Sequence, residues 1–201
     1  MSHFERGFGL PISEHMKKFL RFYRLQPHHL PANAILSLSV FTTFCEAYLG
    51  LLPTVNLWRK FFGFKRNIIP DKGNPNKEST QCGAASISPK RGSILPRIPR
   101  LESCKMWQKS FFYARNPVPE EHEDQLDFIG LPPFVVGPPT NTDKWKQKLS
   151  GRDKEGKATA SRVEDLIKMG FRGDDMVATF VHRRVLQIGR ASCRERVCLY
   201  V

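Results

Sequence analysis

One long apolar stretch, from Ala34 to Leu52, constrains the possible folds of this chain more than any other feature. Pro31 precedes it at a position where a helix tolerates proline, and Gly50 near its end is a typical left-handed cap. Apolar residues would cover most of the surface of this helix, so it needs neighbours on several sides. A membrane span requires about twenty mostly apolar residues, and Glu46 would be costly inside one. The stretch therefore predicts a central, buried helix.

Two amphipathic helices are predicted beside this central helix. The first begins at Ser13, a typical N-cap, and its apolar side chains share one face: Met16, Phe19, Leu20 and Tyr23. The second follows Thr54 and is predicted to end at Gly63, with one apolar side formed by Val55, Trp58, Phe61 and Phe62. The cations of the first helix fit a basic face for nucleic acid or for a membrane surface. They also fit an ordinary solvated face, which is the interpretation we favour.

The composition changes between residues 65 and 115, where eleven lysines and arginines outnumber three acidic residues. Five prolines in this part exclude a long helix. Two short apolar pieces, GAASIS and WQKSFFYAR, are predicted to pair as a small antiparallel ribbon. A basic ribbon with aromatic rings can hold single-stranded nucleic acid, with phosphates on the cations and bases on the rings. The alternative, which we favour on sequence grounds, is a loop-rich edge of the core.

Eight basic residues of this segment are the candidate contacts to nucleic acid, because lysine and arginine neutralise phosphates. They are Lys65, Arg66, Lys90, Arg91, Arg97, Arg100, Lys105 and Lys109. The net charge of the whole chain is +13, which also favours a polyanionic partner, RNA or DNA.

An acidic, proline-rich stretch separates the basic segment from the C-terminal part of the chain. We interpret its carboxylates and His122 as a solvated loop rather than a metal site. Beyond this stretch, Ser161 and Glu164 have the spacing of a capping box at the beginning of a helix. Asp174 and Asp175 suit the positively charged beginning of a second helix. A helix pair is therefore predicted near the C-terminus.

These elements together predict an α+β fold with substantial loop content: an N-terminal helical cluster, a small antiparallel ribbon in the middle and a C-terminal helix pair. The corresponding segments are a helical region at residues 1–64, a basic proline-rich region with short strands at 65–116, an acidic proline-rich linker at 117–160, the helix pair at 161–187 and a C-terminal tail at 188–201.

The sequence contains none of the motifs that identify common enzyme classes, such as a Walker glycine loop, a nucleophile elbow, HExxH or GxGxxG. The five cysteines include no CxxC pair, and no early apolar run indicates a signal peptide. We therefore expect free thiols in an intracellular compartment, either cytoplasm or nucleus, and no secretion. We also expect no enzymatic activity, no cofactor, no bound metal, no small-molecule substrate and no membrane association.

Several blocks along the chain resemble the gypsy-type transposon domain that is abundant in grass genomes. These blocks are HFERGFGLP, FYRLQPHHLPANAI, FCEAYLG, SPKRGSILPRIPRLESCKMWQKSFFYARN, LPPF and DDMVATFVHRRVL. They extend from about His3 to Leu186. The resemblance implies an origin in a retrotransposon or a related reading frame of a plant genome. It transfers no catalytic residue to this chain, and the word transposase in the usual family label does not describe a mechanism.

The C-terminal tail departs from this family pattern. Residues Ile188–Val197, translated back into codons, match a common sequencing adaptor. We therefore expect residues 188–201 not to be native sequence. The alternative is a basic tail whose Cys193 and Cys198 form a redox-active or metal-binding pair. We leave this tail out of the functional argument.

Three functional hypotheses remain after these observations. The leading one is a non-enzymatic retroelement product that associates with RNA or DNA, similar in role to a capsid-region polypeptide. The second is a protein–protein interaction module whose aromatic faces meet a second copy of the chain or another partner. The third, which we consider remote, is a DNA-processing enzyme whose carboxylates converge only in the folded chain.

Overall fold

The computed structural model describes residues 13–67, 73–74, 83–99, 139, 145 and 154–186. Within these residues the chain has an α+β fold, with helices towards both ends and a two-stranded antiparallel sheet between them, which confirms the predicted fold class. The helices are α1 (Glu14–Tyr23), α2 (Ala32–Phe44), α3 (Val55–Phe61), α4 (Lys154–Lys168) and α5 (Gly173–Phe180). The strands are β1 (Phe62–Arg66) and β2 (Ala85–Pro89).

Helix α1 has the N-cap and the apolar face that the sequence predicts. The Ser13 hydroxyl accepts a hydrogen bond from the backbone N–H of Met16 at 3.3 Å, which satisfies one of the free donors of the first turn. Its four predicted apolar residues are buried in the core: Met16, Phe19, Leu20 and Tyr23. Helix α1 is capped at its C-terminal end by Arg24, whose φ of 51° is left-handed, and Pro27 then begins a short 3₁₀ helix, Pro27–His29.

Helix α2 is the predicted central helix, and it is surrounded by other elements. It continues through a π-helical turn, Cys45–Leu49, and ends at Gly50, whose φ of 61° is the expected left-handed cap. By length and composition alone, Ala32–Leu49 is apolar enough to cross a membrane, but most of it is buried inside the protein. Helix α5 packs on one side of α2, and β2 packs on another.

Helix α3 begins as predicted but ends two residues early. The Thr54 hydroxyl caps it by accepting a hydrogen bond from the N–H of Leu57 at 3.1 Å. Phe62 and Gly63, predicted to lie at its end, instead begin β1. The Phe62 ring still reaches the predicted core, because it stacks on Trp58 with the ring centroids 4.1 Å apart. Pairing with β2 offers the backbone a ladder of hydrogen bonds, and this outweighs continuation of the helix.

The ribbon contains one predicted strand and one unpredicted strand. Strand β2 covers most of the GAASIS piece, as expected, but its partner is β1, with Phe64 opposite Ile87 in the antiparallel register. The predicted partner, WQKSFFYAR, lies outside the described residues. Strand β1 immediately follows α3 in the chain, and sequence reasoning assigned Phe62 and Gly63 to the end of that helix, so the strand was not recognised.

The C-terminal helix pair is present, but its first helix begins earlier than predicted. Helix α4 starts at Lys154, so Ser161 and Glu164 lie in its interior and do not form the predicted capping box. Helix α5 begins as expected: the Asp175 carboxylate accepts a hydrogen bond from the N–H of Arg172 at 2.7 Å. It continues into a π-helical turn, Val181–Val185. The acidic run around His122, residues 120–127, and the C-terminal tail at 188–201 lie outside the described residues.

Candidate nucleic-acid interface

Positive charge is segregated within the described part of the fold. Residues 47–67 and 83–99, which we call the acid-free unit, contain seven lysines and arginines and no aspartate or glutamate. This unit consists of α3, the ribbon and the turns that flank them. The acidic side chains that the structure describes lie elsewhere, on α1, on the π turn after α2 and on the two C-terminal helices. The described residues of this unit therefore carry a net positive charge, which creates a positive potential at its surface.

The ribbon has an inner apolar face and an outer polar face. Phe62, Phe64, Ala85 and Ile87 share the inner face, and the Phe64 ring lies 4.4 Å from the Tyr23 ring. Arg66 and Pro89 share this register at the ends of the ribbon, opposite Ala85 and Phe62. Because side chains alternate along a strand, the outer face carries the other four residues, Gly63, Lys65, Ser86 and Ser88. The outer face therefore offers a lysine and two hydroxyls, whereas both phenylalanine rings of the ribbon pack into the core.

Asn67 fixes the end of the ribbon that carries Lys65 and Arg66. Its backbone N–H donates to the Ala84 carbonyl at 2.8 Å, and its side-chain amide donates to the Gly83 carbonyl at 3.0 Å. The Ser86 hydroxyl lies 3.0 Å from the Lys65 carbonyl oxygen and 3.1 Å from the Asn67 side-chain oxygen. These bonds hold the backbone of Lys65, so its exposed side chain projects from a rigid position.

Lys90 holds the other end of the ribbon against α3. Its backbone N–H donates to the Phe61 carbonyl at 2.8 Å, and its ammonium donates to the Arg59 carbonyl. Both carbonyls belong to the last turn of α3, where cations are favoured by the helix dipole. Burial lowers the pKa of Lys90, and the charge of Arg59 lowers it further. Lys90 thus connects the ribbon to α3 as well as contributing charge.

Arg91 lies at the tip of the turn that follows β2. The Ser93 N–H donates to the Lys90 carbonyl at 3.0 Å, which closes a four-residue β-turn. Gly92 occupies the position of this turn that has a positive φ, 75°, a conformation that favours glycine. Arg91 is exposed and makes no ion pair with the described residues. Its guanidinium is therefore available to an external anion.

The predicted contact residues occupy three places in the fold. Lys65 and Arg66 lie at one end of the ribbon, and Lys90 and Arg91 lie at the other. The register separates Lys65 from Lys90 by four residues, or about 13 Å along the ribbon. Arg97 lies beyond the turn, in a segment whose backbone packs on the beginning of α5 at Gly173. The remaining candidates lie outside the described residues: Arg100, Lys105 and Lys109.

Sequence reasoning missed two further cations of the acid-free unit, Arg59 and Lys60. Arg59 is buried, and its guanidinium carbon lies 5.1 Å from the centroid of the Phe22 ring. This contact is a cation–π interaction between α3 and α1. Both residues were assigned only to a helix with an aromatic core face. The sequence signal for these two cations was a basic pair in the last turn of a short helix, beside a basic strand.

The described residues offer no group of three or more histidine, cysteine, aspartate or glutamate side chains that could hold a metal ion. Cys45 is a buried free thiol on the π turn after α2. Burial raises its pKa to about 12, and the neighbouring charge of Glu46 contributes in the same direction. The thiol is therefore protonated at neutral pH and is a poor nucleophile.

Comparison with known families identifies the N-terminal part of the chain. Residues 1–66, up to the end of β1, match the family model described as "Putative gypsy type transposon". The similar blocks noted further along the chain lie beyond this match. Neither the curated proteins nor the solved structures compared with the chain include a match to it. Over residues 1–66 the chain is therefore similar to the gypsy-type transposon family.

Proposed function

We propose that this chain is a non-enzymatic, intracellular product of a gypsy-type element that binds the phosphate backbone of RNA or DNA. The observation that supports the proposal best is the acid-free unit, whose described residues include seven cations and no carboxylate. Lys65 and Arg91 are the exposed cations that the ribbon and its turn hold in place. In this role the chain would resemble a capsid-region polypeptide, which associates with nucleic acid without transforming it.

The arrangement of the ribbon favours phosphate contacts over base stacking. Single-stranded nucleic acid is commonly bound by exposed aromatic rings, on which bases stack. In this ribbon, Phe62 and Phe64 face the core, and the outer face presents Lys65 with the hydroxyls of Ser86 and Ser88. Contacts to phosphate position a protein but carry no sequence information. We therefore expect binding that depends strongly on salt and weakly on nucleotide sequence.

The proposal is tested by measuring the affinity of the full chain for RNA and DNA oligonucleotides across a salt series. The Lys65→Ala/Arg91→Ala double variant should lower the slope of log affinity against log salt by about 2, one for each lost phosphate contact. The matched control is Arg162→Ala/Lys168→Ala, which removes the same charge from exposed positions of α4, where Glu164 and Asp165 are neighbours. No detectable affinity at low salt, or equal losses in both variants, would contradict the proposed interface.

A protein–protein interaction module is the second candidate, and two exposed apolar side chains favour it. Leu52 is 82% exposed and Met169 is 75% exposed, so both apolar side chains are accessible to a partner. Sedimentation of the full chain and of a Leu52→Ser/Met169→Ser variant tests this candidate. Self-association that the variant abolishes would support it, and a strictly monomeric wild-type chain would contradict self-association.

A further inference from the structure

Ser88 combines a recognition sequence with an unusual position in the ribbon. It is followed immediately by Pro89, and then by Lys90 and Arg91. A proline directly after the serine and a basic residue three positions after it are what proline-directed serine/threonine kinases recognise. Ser88 is the only serine or threonine of the whole sequence that precedes a proline. We propose that Ser88 is a phosphorylation site for a kinase of this class, and that the phosphate switches the charge of the outer face.

The geometry leaves room for a phosphate on Ser88. Its side chain lies on the outer face, and its cross-strand partner is Gly63, which has no side chain to block it. The Ser88 hydroxyl makes no hydrogen bond with the residues that the structure describes. Pro89 is exposed, and the backbone of Ser88 and Pro89 is already extended in β2, the conformation in which a kinase cleft binds its substrate.

The charged residues that flank Ser88 along the ribbon are two lysines, Lys65 on the outer face and Lys90 just beyond the end of β2. Ser88 lies two residues along the ribbon from Lys90 and, through its partner Gly63, two from Lys65, or about 7 Å from each. The side chain of Lys90 passes beside Gly63, since its Cγ would lie 3.8 Å from a Cβ at that glycine. A phosphate on Ser88 would therefore lie between Lys65 and Lys90 along the ribbon, and Arg91 follows Lys90 in the next turn.

The reaction is an ordinary phosphoryl transfer from ATP, held by the kinase with its magnesium. The Ser88 Oγ forms a bond to the γ-phosphorus as the bond between that phosphorus and the bridging oxygen of ADP breaks. ADP leaves with the electron pair, and the serine proton passes to the catalytic carboxylate of the kinase. The product carries about −1.5 to −2 charges at neutral pH.

The consequence for binding rests on the function proposed above. A dianion between Lys65 and Lys90 would pair with both ammonium groups and repel the phosphates of a nucleic acid. We therefore expect the phosphorylated chain to bind oligonucleotides at least about tenfold more weakly at low salt. The modification site itself does not depend on nucleic-acid binding, so the two parts can be tested separately.

Two neighbouring serines provide matched controls. Ser86 lies on the same outer face, but it is followed by Ile87, and its hydroxyl is engaged near the Lys65 carbonyl. Ser93 is followed by Ile94, and its hydroxyl oxygen is buried. A kinase that selects serine by the following proline should modify neither of them.

The first measurement is mass spectrometry of the intact full chain after incubation with a proline-directed kinase, magnesium and ATP. We expect one added phosphate, mapped to Ser88, unchanged in Ser86→Ala and absent in Ser88→Ala. A standard substrate peptide in the same reaction confirms that the kinase is active. An unmodified Ser88 in that reaction, or a phosphate placed on Ser86 or Ser93, would overturn the assignment.

The second measurement compares oligonucleotide affinity for the unmodified chain, the phosphorylated chain and the Ser88→Asp variant, with circular dichroism as a check on folding. Weaker binding of the phosphorylated chain with an unchanged spectrum supports the switch. Equal binding by the modified and unmodified chains overturns the switch. If the unmodified chain binds no nucleic acid, the proposed function fails, while the mass measurement still decides whether Ser88 is a kinase site.

Discussion

Single side chains of this protein owe their properties to neighbours that are distant in sequence. An isolated helix α1 would expose His15 to solvent. In the folded chain, the Nε2 atom of His15 is buried and has no hydrogen-bond partner among the described groups. Burial lowers the pKa of His15. The backbone of Pro53 and the charge of Glu46 raise this pKa, whereas the charge of Lys18 lowers it. The folded chain therefore favours neutral His15.

A pH dependence of stability follows from His15. An unfolded histidine titrates at about pH 6.5, and the folded chain protonates His15 only at lower pH. Between these two values the unfolded state binds more protons, so the free energy of unfolding falls as the pH falls. Above the unfolded pKa, His15 contributes no slope. We expect His15→Gln to reduce the loss of stability between about pH 7 and pH 5 in urea titrations.

The matched control for this measurement is His182→Gln, because His182 is exposed on the π turn after α5. The free energy of unfolding of this variant should change with pH as it does in the wild-type chain. If His15→Gln and the wild-type chain lose stability equally over this pH range, the buried, neutral state of His15 is contradicted.

At the scale of elements, close backbone contacts decide how the segment after the ribbon docks on the C-terminal helices. Gly173 begins α5, and a Cβ at this position would lie 1.9 Å from the Arg97 carbonyl oxygen. That contact is with backbone rather than with the end of a flexible side chain, so it cannot be relieved without moving an element. The glycine therefore lets the segment around Arg97 lie directly against α5.

Gly173→Ala should accordingly destabilise the protein, although alanine is the better helix former by about 1 kcal/mol. We expect a loss of about 2 kcal/mol or more, measured by chemical denaturation, because the overpacked backbone must shift. Gly63→Ala is the control: its Cβ would lie an ordinary 3.8 Å from the Lys90 Cγ. That substitution should change stability by less than about 1 kcal/mol. A neutral or stabilising Gly173→Ala would show that the close approach does not exist in solution.

On the scale of the whole molecule, the C-terminal helices complete the core of the N-terminal part. Val163, Met176 and Phe180 are buried in the same hydrophobic cluster as the residues of α2. The Phe171 ring stacks on the Phe44 ring at 5.7 Å, and the Tyr48 hydroxyl lies 2.6 Å from the Thr179 hydroxyl. The family match ends at residue 66, whereas the core that buries this matched segment also includes residues of α4 and α5.

Two substitutions at this junction compare how much apolar packing and an ion pair each contribute to the stability of the protein. Phe180→Ala should cost about 3–5 kcal/mol, because it empties a buried site in the core. Arg184→Ala removes the ion pair with Glu46 at 2.5 Å, but both side chains are partly exposed, so the cost should be about 0–1 kcal/mol. Thermal or urea denaturation measures both. Similar costs for the two variants would contradict a junction held mainly by apolar packing.

Local features of the fold were predictable from the sequence, and pairings between distant segments were not. Ser13, Thr54 and Gly50 cap their helices as predicted, because capping involves hydrogen bonds within a few residues of the chain. The prediction of a capping box at Ser161 was wrong, because the residues that precede Ser161 already belong to α4. The pairing of β2 with β1 was not predicted, since several short runs have similar strand propensity and only packing selects among them.

The candidate interface shows the same division. Composition identified the basic segment, and five of the eight predicted cations lie within the described residues. Sequence reasoning could not reveal that Lys90 ties the ribbon to α3, or that Phe62 and Phe64 turn inward. Both facts depend on which face of the ribbon meets the core.

By itself, the sequence determined the central apolar helix, its caps, the amphipathic face of α1, the excess of positive charge and the similarity of residues 1–66 to the gypsy-type transposon family. These depend on local hydrogen bonds, on periodicity and on composition, which are properties of neighbouring residues. Only the tertiary structure decided that β1 pairs with β2, that α4 and α5 complete the core, and that Ser88 lies between two lysines. Such contacts join segments far apart in the chain, and burial of the shared apolar surface selects them over local alternatives of similar energy.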